Sequence, residues 1–534
     1  MGKFGAMLDM SRNAVMKPQK VKEYIKILKS FGYNSIQLYT EDTYEIEGEP
    51  YFGYLRGRYS IAELKDIVDY AESLDMEVIP CIQTLAHLNQ MFKWGVYREI
   101  NDCEDILLID DERTYELIDK MFSTLRKCFK SEYVHIGMDE AHNVGLGKFL
   151  DKNGYQNRFE ILNRHLGRVI AIAEKYNFKP FMWSDMYFRL ANHGEYYLEN
   201  PEFPEGAKSS LPQNIALCYW DYYHDDENFY AKMMRAHKAT GKEIWFAGGV
   251  NTWYGFASGN TLALKNMIPA MNAAKKEGIE NIFMTLWGDN GKECSYFSAL
   301  PSLYAIKRVY DGETDMDKIK REFSEITGES FDALLALDSP NFVSGNDNSA
   351  KGICKYALYS DPFCGFLDTC LTEGEGEKYK DIARELNAYA LESKNYGYIF
   401  ESLSALCETL SIKYDLGQRT RTAYASKDKE ALKNLLPDYD RAVNLTEKFY
   451  EKFRTLWYTE NKPNGFEIQD IRLGGLIQRL KSCKMALQDY ISGKLETLAE
   501  LDEPLLDYYG NGEKFTKNPV MYNGWSSNVS PNKV

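Results

Sequence analysis

The chain lacks the patterns that mark several protein classes. No stretch approaches the ~18 uninterrupted apolar residues that a membrane-crossing helix needs. The start, "MGKFGAMLDM", enters an apolar strand-like run at once, without a basic region followed by a long apolar stretch. Ala6 stands where a myristoylation signal wants Ser or Thr. A membrane partner is therefore not expected, and the expected location is cytoplasmic. The ten cysteines are scattered, with no C-x-x-C pair and no cysteine/histidine cluster at metal-finger spacing, so they read as reduced, mostly buried thiols. Positive charge is in deficit, with 64 Lys and Arg against 79 Asp and Glu, a net charge of −15. That balance argues against nucleic acid or an acidic membrane surface as partner and favours a neutral or small substrate. Low-complexity segments are lacking too.

What is present is a large apolar complement, 44% of 534 residues, enough for a sizeable core and two domains. Eight short runs rich in β-branched and aromatic residues each precede a segment of helical period: "KFGAML", "NSIQLY", "MEVIPCI", "YVHIG", "KPFMW", "IALCY", "EIWFA" and "NIFMTL". In "PQKVKEYIKILKSFG" the apolar positions Val21, Tyr24, Ile25 and Leu28 recur at three and four, as do Leu64, Ile67, Val68 and Ala71 in "SIAELKDIVDYAESLDM". Gly32, Gly241 and Gly278 sit where helices should stop. Parallel strands need helical crossovers and eight of them can close a sheet, so the pattern predicts an α/β fold, a (β/α)8 TIM barrel, over residues 1–330. An open doubly wound sheet is the alternative. It is weakened because no G-x-G-x-x-G or G-x-x-x-x-G-K-[ST] follows any of these runs. Residues 331–534 read as a mainly α-helical C-terminal domain with a polar, aromatic-spotted tail from about Asn511.

In an eight-fold barrel the chemistry sits at the C-terminal ends of the strands. Reading those ends gives Arg12, then Glu41 with Asp42, then His87, then Asp139 with Glu140. The later ends give Trp183 and Asp185, Tyr219 and Asp221, Asn251 and Trp253, and Trp287 and Asp289. Carboxylates, an arginine and tryptophans together suit a sugar, because acids and Arg hydrogen-bond hydroxyls while indole faces stack on pyranose rings. A lone barrel tryptophan is usually core. Six of the eight tryptophans precede residue 290, however, and Trp183, Trp253 and Trp287 fall at strand ends, which turns that set toward function. His135 lies inside the fourth run and is expected to be a buried hydrogen-bonding residue. Adjacent acids at the end of an apolar strand point apart, so Asp139 and Glu140 are expected to act on different parts of one sugar.

The stretch "HIGMDE" resembles the His-x-Gly-x-Asp-Glu signature of glycoside hydrolase family 20, the β-N-acetylhexosaminidases, and the resemblance extends along residues 1 to about 310. It implies an exo-acting enzyme that removes terminal β-linked GlcNAc or GalNAc with retention, using the substrate's own 2-acetamido group as nucleophile through an oxazolinium intermediate. It further implies Glu140 as acid/base and Asp139 as the residue that orients the acetamide. "LDMSRN" is similar to the first-strand segment whose arginine binds O3 and O4, which gives that role to Arg12. "IPCIQTLAHLNQ" is similar to the segment whose histidine supports the acid/base, which gives His87. "FMWSDM" matches the acetamide-pocket tryptophan at Trp183. "CYWDYY" reproduces a Tyr-x-Asp pattern that gives Tyr219 the acetamide carbonyl and Asp221 a hydroxyl. "LWGDN" reproduces Trp-x-acid, so that Trp287 walls the pocket and Asp289 binds O4 or O6.

The sequence departs from the family pattern in places. Met138 stands where Gly is common, Glu41 replaces the first acid of an Asp-Asp pair, and Asp289 replaces a common Glu. A pocket tryptophan usual after the fourth strand has no match, and Trp253 is the candidate to fill its place. The small α/β domain usual before the barrel has no counterpart, which resembles a compact bacterial subgroup. Two other readings stay open: a two-carboxylate retaining glycosidase whose nucleophile is Asp221 or Asp289, and a sugar-binding protein on a barrel without activity. No metal or organic cofactor is expected, since no ligand cluster accompanies the acids. The partner is expected to be a small oligosaccharide or glycoconjugate substrate, with a homodimer through the helical domain.

Overall fold

The computed structural model describes residues 2–203, 206, 208, 211–343, 352–365, 368, 371 and 374–506. Eight parallel strands close into a barrel in chain order. They are β1 (Phe4–Asp9), β2 (Ser35–Tyr39), β3 (Glu77–Cys81), β4 (Tyr133–His135), β5 (Lys179–Trp183), β6 (Ala216–Trp220), β7 (Ile244–Gly249) and β8 (Asn281–Leu286). Closure is made by β1, which pairs with both β2 and β8, so that Leu8 lies opposite Leu38 on one side and Leu286 on the other. The strands are buried almost throughout, because each is covered by helices outside and side-chain layers inside.

Local chemistry explains the crossovers. The helix Ile61–Glu72 opens with a capping box in which Ser60 Oγ accepts from the Glu63 amide at 3.2 Å and the Glu63 carboxylate accepts from the Ser60 amide at 2.8 Å. It buries Leu64, Ile67, Val68 and Ala71, the face that its spacing defines. Pro18 begins the helix Pro18–Ser30, where its missing N–H costs nothing. At Gly32, φ is +88°, a left-handed conformation that ends the turn without a Cβ clash.

The chain divides into two compact units. The first comprises Met1–Val250, Ala263–Trp287 and Ser302–Ile319; the second comprises Asn251–Leu262, Gly288–Pro301 and the chain from Lys320 onward. Two segments expected within the barrel domain, those that follow β7 and β8, thus group with the helical region. That region contains the helices Lys378–Glu392, Gly397–Lys413, Leu416–Ala425, Lys429–Glu460 and Phe466–Ile491. Within it Asp338 accepts from the Thr261 amide at 2.7 Å, Ser258 Oγ at 2.9 Å and Asn260 Nδ2 at 3.1 Å, which ties the segment after β7 to the helical part. The tail from Asn511 lies outside the described residues. Among the described residues no helix is long and apolar enough to cross a membrane.

Candidate active site

The turn after β4 is built from left-handed residues: φ is +73° at Gly137, +70° at Met138 and +50° at Glu140. Gly137 is required there. A Cβ at this position would lie 2.1 Å from Gln83 Oε1 and 2.8 Å from the Ile82 carbonyl oxygen. The space it leaves lets Gln83 approach, and Gln83 Oε1 accepts from the Met138 amide at 3.2 Å. Buried His135 holds the same turn by accepting from the Gly137 amide through Nδ1 at 3.1 Å, and burial holds its imidazole down to about 3, so it is a neutral acceptor. A chain forced through consecutive left-handed residues sends neighbouring side chains in different directions, and non-glycine residues persist there only when their surroundings fix them.

The two acids accordingly occupy different environments. Asp139 is buried; its Oδ1 accepts from Gln83 Nε2 at 2.7 Å and its Oδ2 lies 3.2 Å from His87 Nε2. Burial by itself would raise the Asp139 carboxyl, but the His87 charge and the bonds from His87 and Gln83 outweigh it and hold it below the usual carboxylate range. His87 shows the converse. Burial would lower its imidazole, yet Asp139 raises it to about 9, so Asp139 and His87 form a buried ion pair at neutral pH. The Glu140 side chain is 43% exposed, with His87 Nε2 and Arg189 Nη2 each 3.8 Å from its carboxyl oxygens.

From Asp139 a polar network runs across the strand ends. Gln83 Nε2 also donates to Tyr39 Oη at 2.9 Å, Tyr39 Oη donates to Glu41 Oε1 at 3.1 Å, and Arg12 Nη2 lies 3.2 Å from the same oxygen. Arg12, Glu41, His87 and Asp139, read separately from four strand ends, are therefore one connected cluster. Burial pushes the Glu41 carboxyl up, with Arg12 opposing. The cluster has an aromatic wall: Trp287 lies 4.8 Å from the Tyr39 ring and 6.2 Å from Trp183, and Trp183 packs 4.3 Å from His135. Trp183 Nε1 is buried and finds no hydrogen-bond partner among the described residues.

Tyr219 and Asp221 do not join this cluster, which corrects their expected placement. The Tyr219 ring lies 5.0 Å from His237, on the helix Glu227–Lys238, and 5.4 Å from Phe246, so it faces the helix layer outside the sheet. Its hydroxyl donates to Asp221 Oδ2 at 2.7 Å, and Asp221 Oδ1 accepts from the Tyr223 amide at 3.0 Å, with His224 Nδ1 2.8 Å from Oδ2. Strand side chains alternate between faces, so a residue one position off in parity points away from the barrel axis. Tyr222 faces the other way: its hydroxyl is hydrogen-bonded to Trp287 and Thr285 and lies within the electrostatic reach of Asp139. Trp253 and Asp289 belong to the second unit, where Trp253 is buried and 5.3 Å from the Tyr254 ring.

Gln83, Tyr39, Tyr222 and Arg189 escaped the sequence reading, and Asp185 was read at a strand end without being given a role. Asp185 was visible at the end of β5, and Arg189 follows it at i+4, the spacing that brings side chains together on a helix. The others carried no signal beyond their nearness to strand ends.

Comparison with known proteins agrees with the architecture. The family model described as glycosyl hydrolase family 20, catalytic domain, matches residues 4–239, and that described as glycoside hydrolase 20C C-terminal domain matches residues 329–520. A curated relative, hexosaminidase D of Homo sapiens, is 24% identical over 251 residues, 45% of this chain and 49% of that protein. Hexosaminidase D of Bos taurus is 24% identical over 227 residues, 41% of this chain and 62% of that protein. The chain thus spans about half the length of the human relative. Among solved structures, the GH20 exo β-N-acetylglucosaminidase from Vibrio harveyi in complex with N-acetylglucosamine superposes with a TM-score of 0.46 and 17% identity, covering 61% of this chain and 58% of that one. With one family model on the barrel and the second on the helical region, the chain belongs to glycoside hydrolase family 20.

Proposed function

We propose that the protein is an exo-acting β-N-acetylhexosaminidase that removes terminal β-linked GlcNAc or GalNAc from small oligosaccharides or glycoconjugates. The observation that carries this reading is the unequal setting of two adjacent acids, Asp139 buried and paired, Glu140 open to solvent at the end of the same turn. In the proposed reaction Asp139 stays ionised and accepts the acetamide N–H, directing the acetamide oxygen to the anomeric carbon. Glu140 donates its proton to the glycosidic oxygen as that C–O bond breaks, and the C–O bond to the acetamide oxygen forms. Water then adds at the anomeric carbon, Glu140 takes its proton, and the acetamide is released.

The other residues follow from position. Arg12 and Glu41 suit sugar hydroxyls, Trp183 and Trp287 wall the pocket, and Tyr222 takes the role of holding the acetamide carbonyl in place of Tyr219. The hydrogen bonds that occupy Asp221 speak against it as the nucleophile of a two-carboxylate mechanism. Nine free cysteines among the described residues support a cytoplasmic location.

A panel of aryl glycosides tests the proposal. The N-acetylglucosaminide or N-acetylgalactosaminide should be cleaved while the plain glucoside is almost inert, and a thiazoline that imitates the cyclised acetamide should inhibit tightly. Asp139→Asn should cut turnover by ~10² to 10³, the scale of losing a contact made to developing charge. Equal cleavage of glucoside and N-acetylglucosaminide, or a sugar trapped covalently on any carboxylate, would falsify the mechanism.

A further inference from the structure

Asp185 is the most deeply buried carboxylate beside the two acids, and the proposed reaction gives it no task. It stands in the first turn of the helix Asp185–Ala191 and is fully buried. Its Oδ2 accepts from the Glu140 amide at 3.1 Å and from Arg189 Nε at 3.1 Å, while its Oδ1 is buried without a hydrogen-bond partner among the described residues. Arg189 in turn reaches Glu140, with Nη2 3.8 Å from Oε1. It cannot swing freely, because Nη1 donates to the Gly194 carbonyl at 2.9 Å and the guanidinium lies over the Tyr196 and Trp220 rings at 5.7 and 5.9 Å. One carboxylate thus grips both the backbone of Glu140 and the cation that faces its side chain.

We infer that Asp185 and Arg189 are positioning residues for Glu140: Asp185 fixes the left-handed backbone that aims it, and Arg189 sets the charge its carboxyl meets. This rests on Glu140 as the acid of the proposed reaction. Three observations join in it. Glu140 holds φ at +50°, a conformation that needs outside support, and its amide hydrogen bond to Asp185 is that support. A burial this complete would be costly for a carboxylate with no function to serve. The groups that face Asp185 come from every adjoining element: Asp139 and Glu140 from the β4 turn, Arg189 from its own helix and Tyr196 beyond it. Burial, with Asp139 adding to it, pushes the Asp185 carboxyl up toward neutrality, so its charge changes in the range where the enzyme would work.

The test uses the full chain, aryl N-acetylglucosaminides with a series of leaving groups, and pH profiles. Asp185→Leu should lower kcat on the order of 10²-fold on poor leaving groups, and far less on activated ones, with KM little changed, because the defect lies in proton delivery. Asp185→Asn keeps the acceptor for the Glu140 amide. It should recover most of the rate, yet lose one ionisation from the kcat/KM profile near neutral pH. Arg189→Gln should show the same leaving-group dependence, and it keeps the test open where Asp185→Leu does not fold. Glu140→Gln serves as the reference. If Glu140→Gln shows the leaving-group dependence and neither Asp185→Leu nor Arg189→Gln does, or if the Asp185→Asn profile is unchanged, the positioning role is overturned. If Glu140→Gln itself shows no such dependence, the assignment of the acid falls instead.

Discussion

The turns after β4 and after β8 solve a similar problem with different means. Both contain three left-handed residues: Gly137, Met138 and Glu140 in the first, with φ of +73°, +70° and +50°, and the consecutive Asn290, Gly291 and Lys292 in the second, with φ of +60°, +124° and +52°. The β4 turn is held by residues of the barrel unit itself, Gln83 at the end of β3, His135 within β4 and Asp185 after β5. The β8 turn is held by the helical part of its own unit. Arg472 Nη1 donates to the Asn290 carbonyl at 2.6 Å and Gln469 Nε2 to that of Gly291 at 3.3 Å, from one face of the helix Phe466–Ile491. Arg472 and buried Lys355 both pair with buried Glu293 at 2.8 Å. The difference teaches that strained backbone near strand ends is stabilised by whichever element can bring donors to it. The helical region, expected from the sequence to carry a homodimer, also holds the turn after β8.

The comparison can be broken most sharply at Gly137. Gly137→Ala must place a Cβ against Gln83 Oε1 and keep a positive φ, so it should destabilise the protein on the order of 4 kcal/mol and abolish most turnover. Urea unfolding checks the stability, and wild-type stability in this variant would remove the close approach from the account.

The ion pair offers a smaller effect with a defined sign. His87 is raised to about 9, so its contribution to stability is fully present below the ordinary histidine value and is lost as pH rises through about 9. Asp139 is lowered, so its contribution is present above the ordinary aspartate value and is lost as pH falls through its depressed one. The pair should thus stabilise most between about pH 4 and 6.5, and the alkaline loss should reach roughly 3 kcal/mol. Thermal melts from pH 6 to 10 should show that slope in the wild type and not in His87→Gln. An identical slope in both would detach His87 from it.

The smallest effect belongs to the β8 turn. Arg472→Lys retains the charge facing Glu293 but loses the planar fork, and should cost about 1 kcal/mol. Backbone amides 288–293 should exchange faster in this variant while those of the β4 turn stay unchanged. Equal loosening of both turns would erase the contrast.

Much of the fold was legible because it rests on periodicity. Runs of β-branched and aromatic residues separated by amphipathic segments marked all eight strands, since a buried parallel strand must be apolar on both faces. Arg12, Glu41, His87 and Asp139 were legible as strand-end residues for the same reason: barrel closure gathers those ends. Gln83 and Arg189 were not, because the site residues they meet, Tyr39, Met138 and Asp139 for Gln83 and Glu140 for Arg189, are distant in sequence, and isolated polar residues carry no period. The Tyr219 expectation failed on parity, for "CYWDYY" offers three tyrosines within five residues and only packing decides which of them turns inward.

By itself the sequence determined the barrel, the succession of helices after it and the adjacency of Asp139 and Glu140, because these depend on local propensity and on the spacing of apolar residues. Tertiary structure alone decided that Asp139 is buried beside His87 while Glu140 stands open, that Tyr222 and not Tyr219 shares their side of the sheet, and that helical residues hold the turn after β8. Each of those outcomes depends on which groups meet across strand ends. A side chain's direction, burial and charge are set by its neighbours in space, and these are written nowhere in the order of residues along the chain.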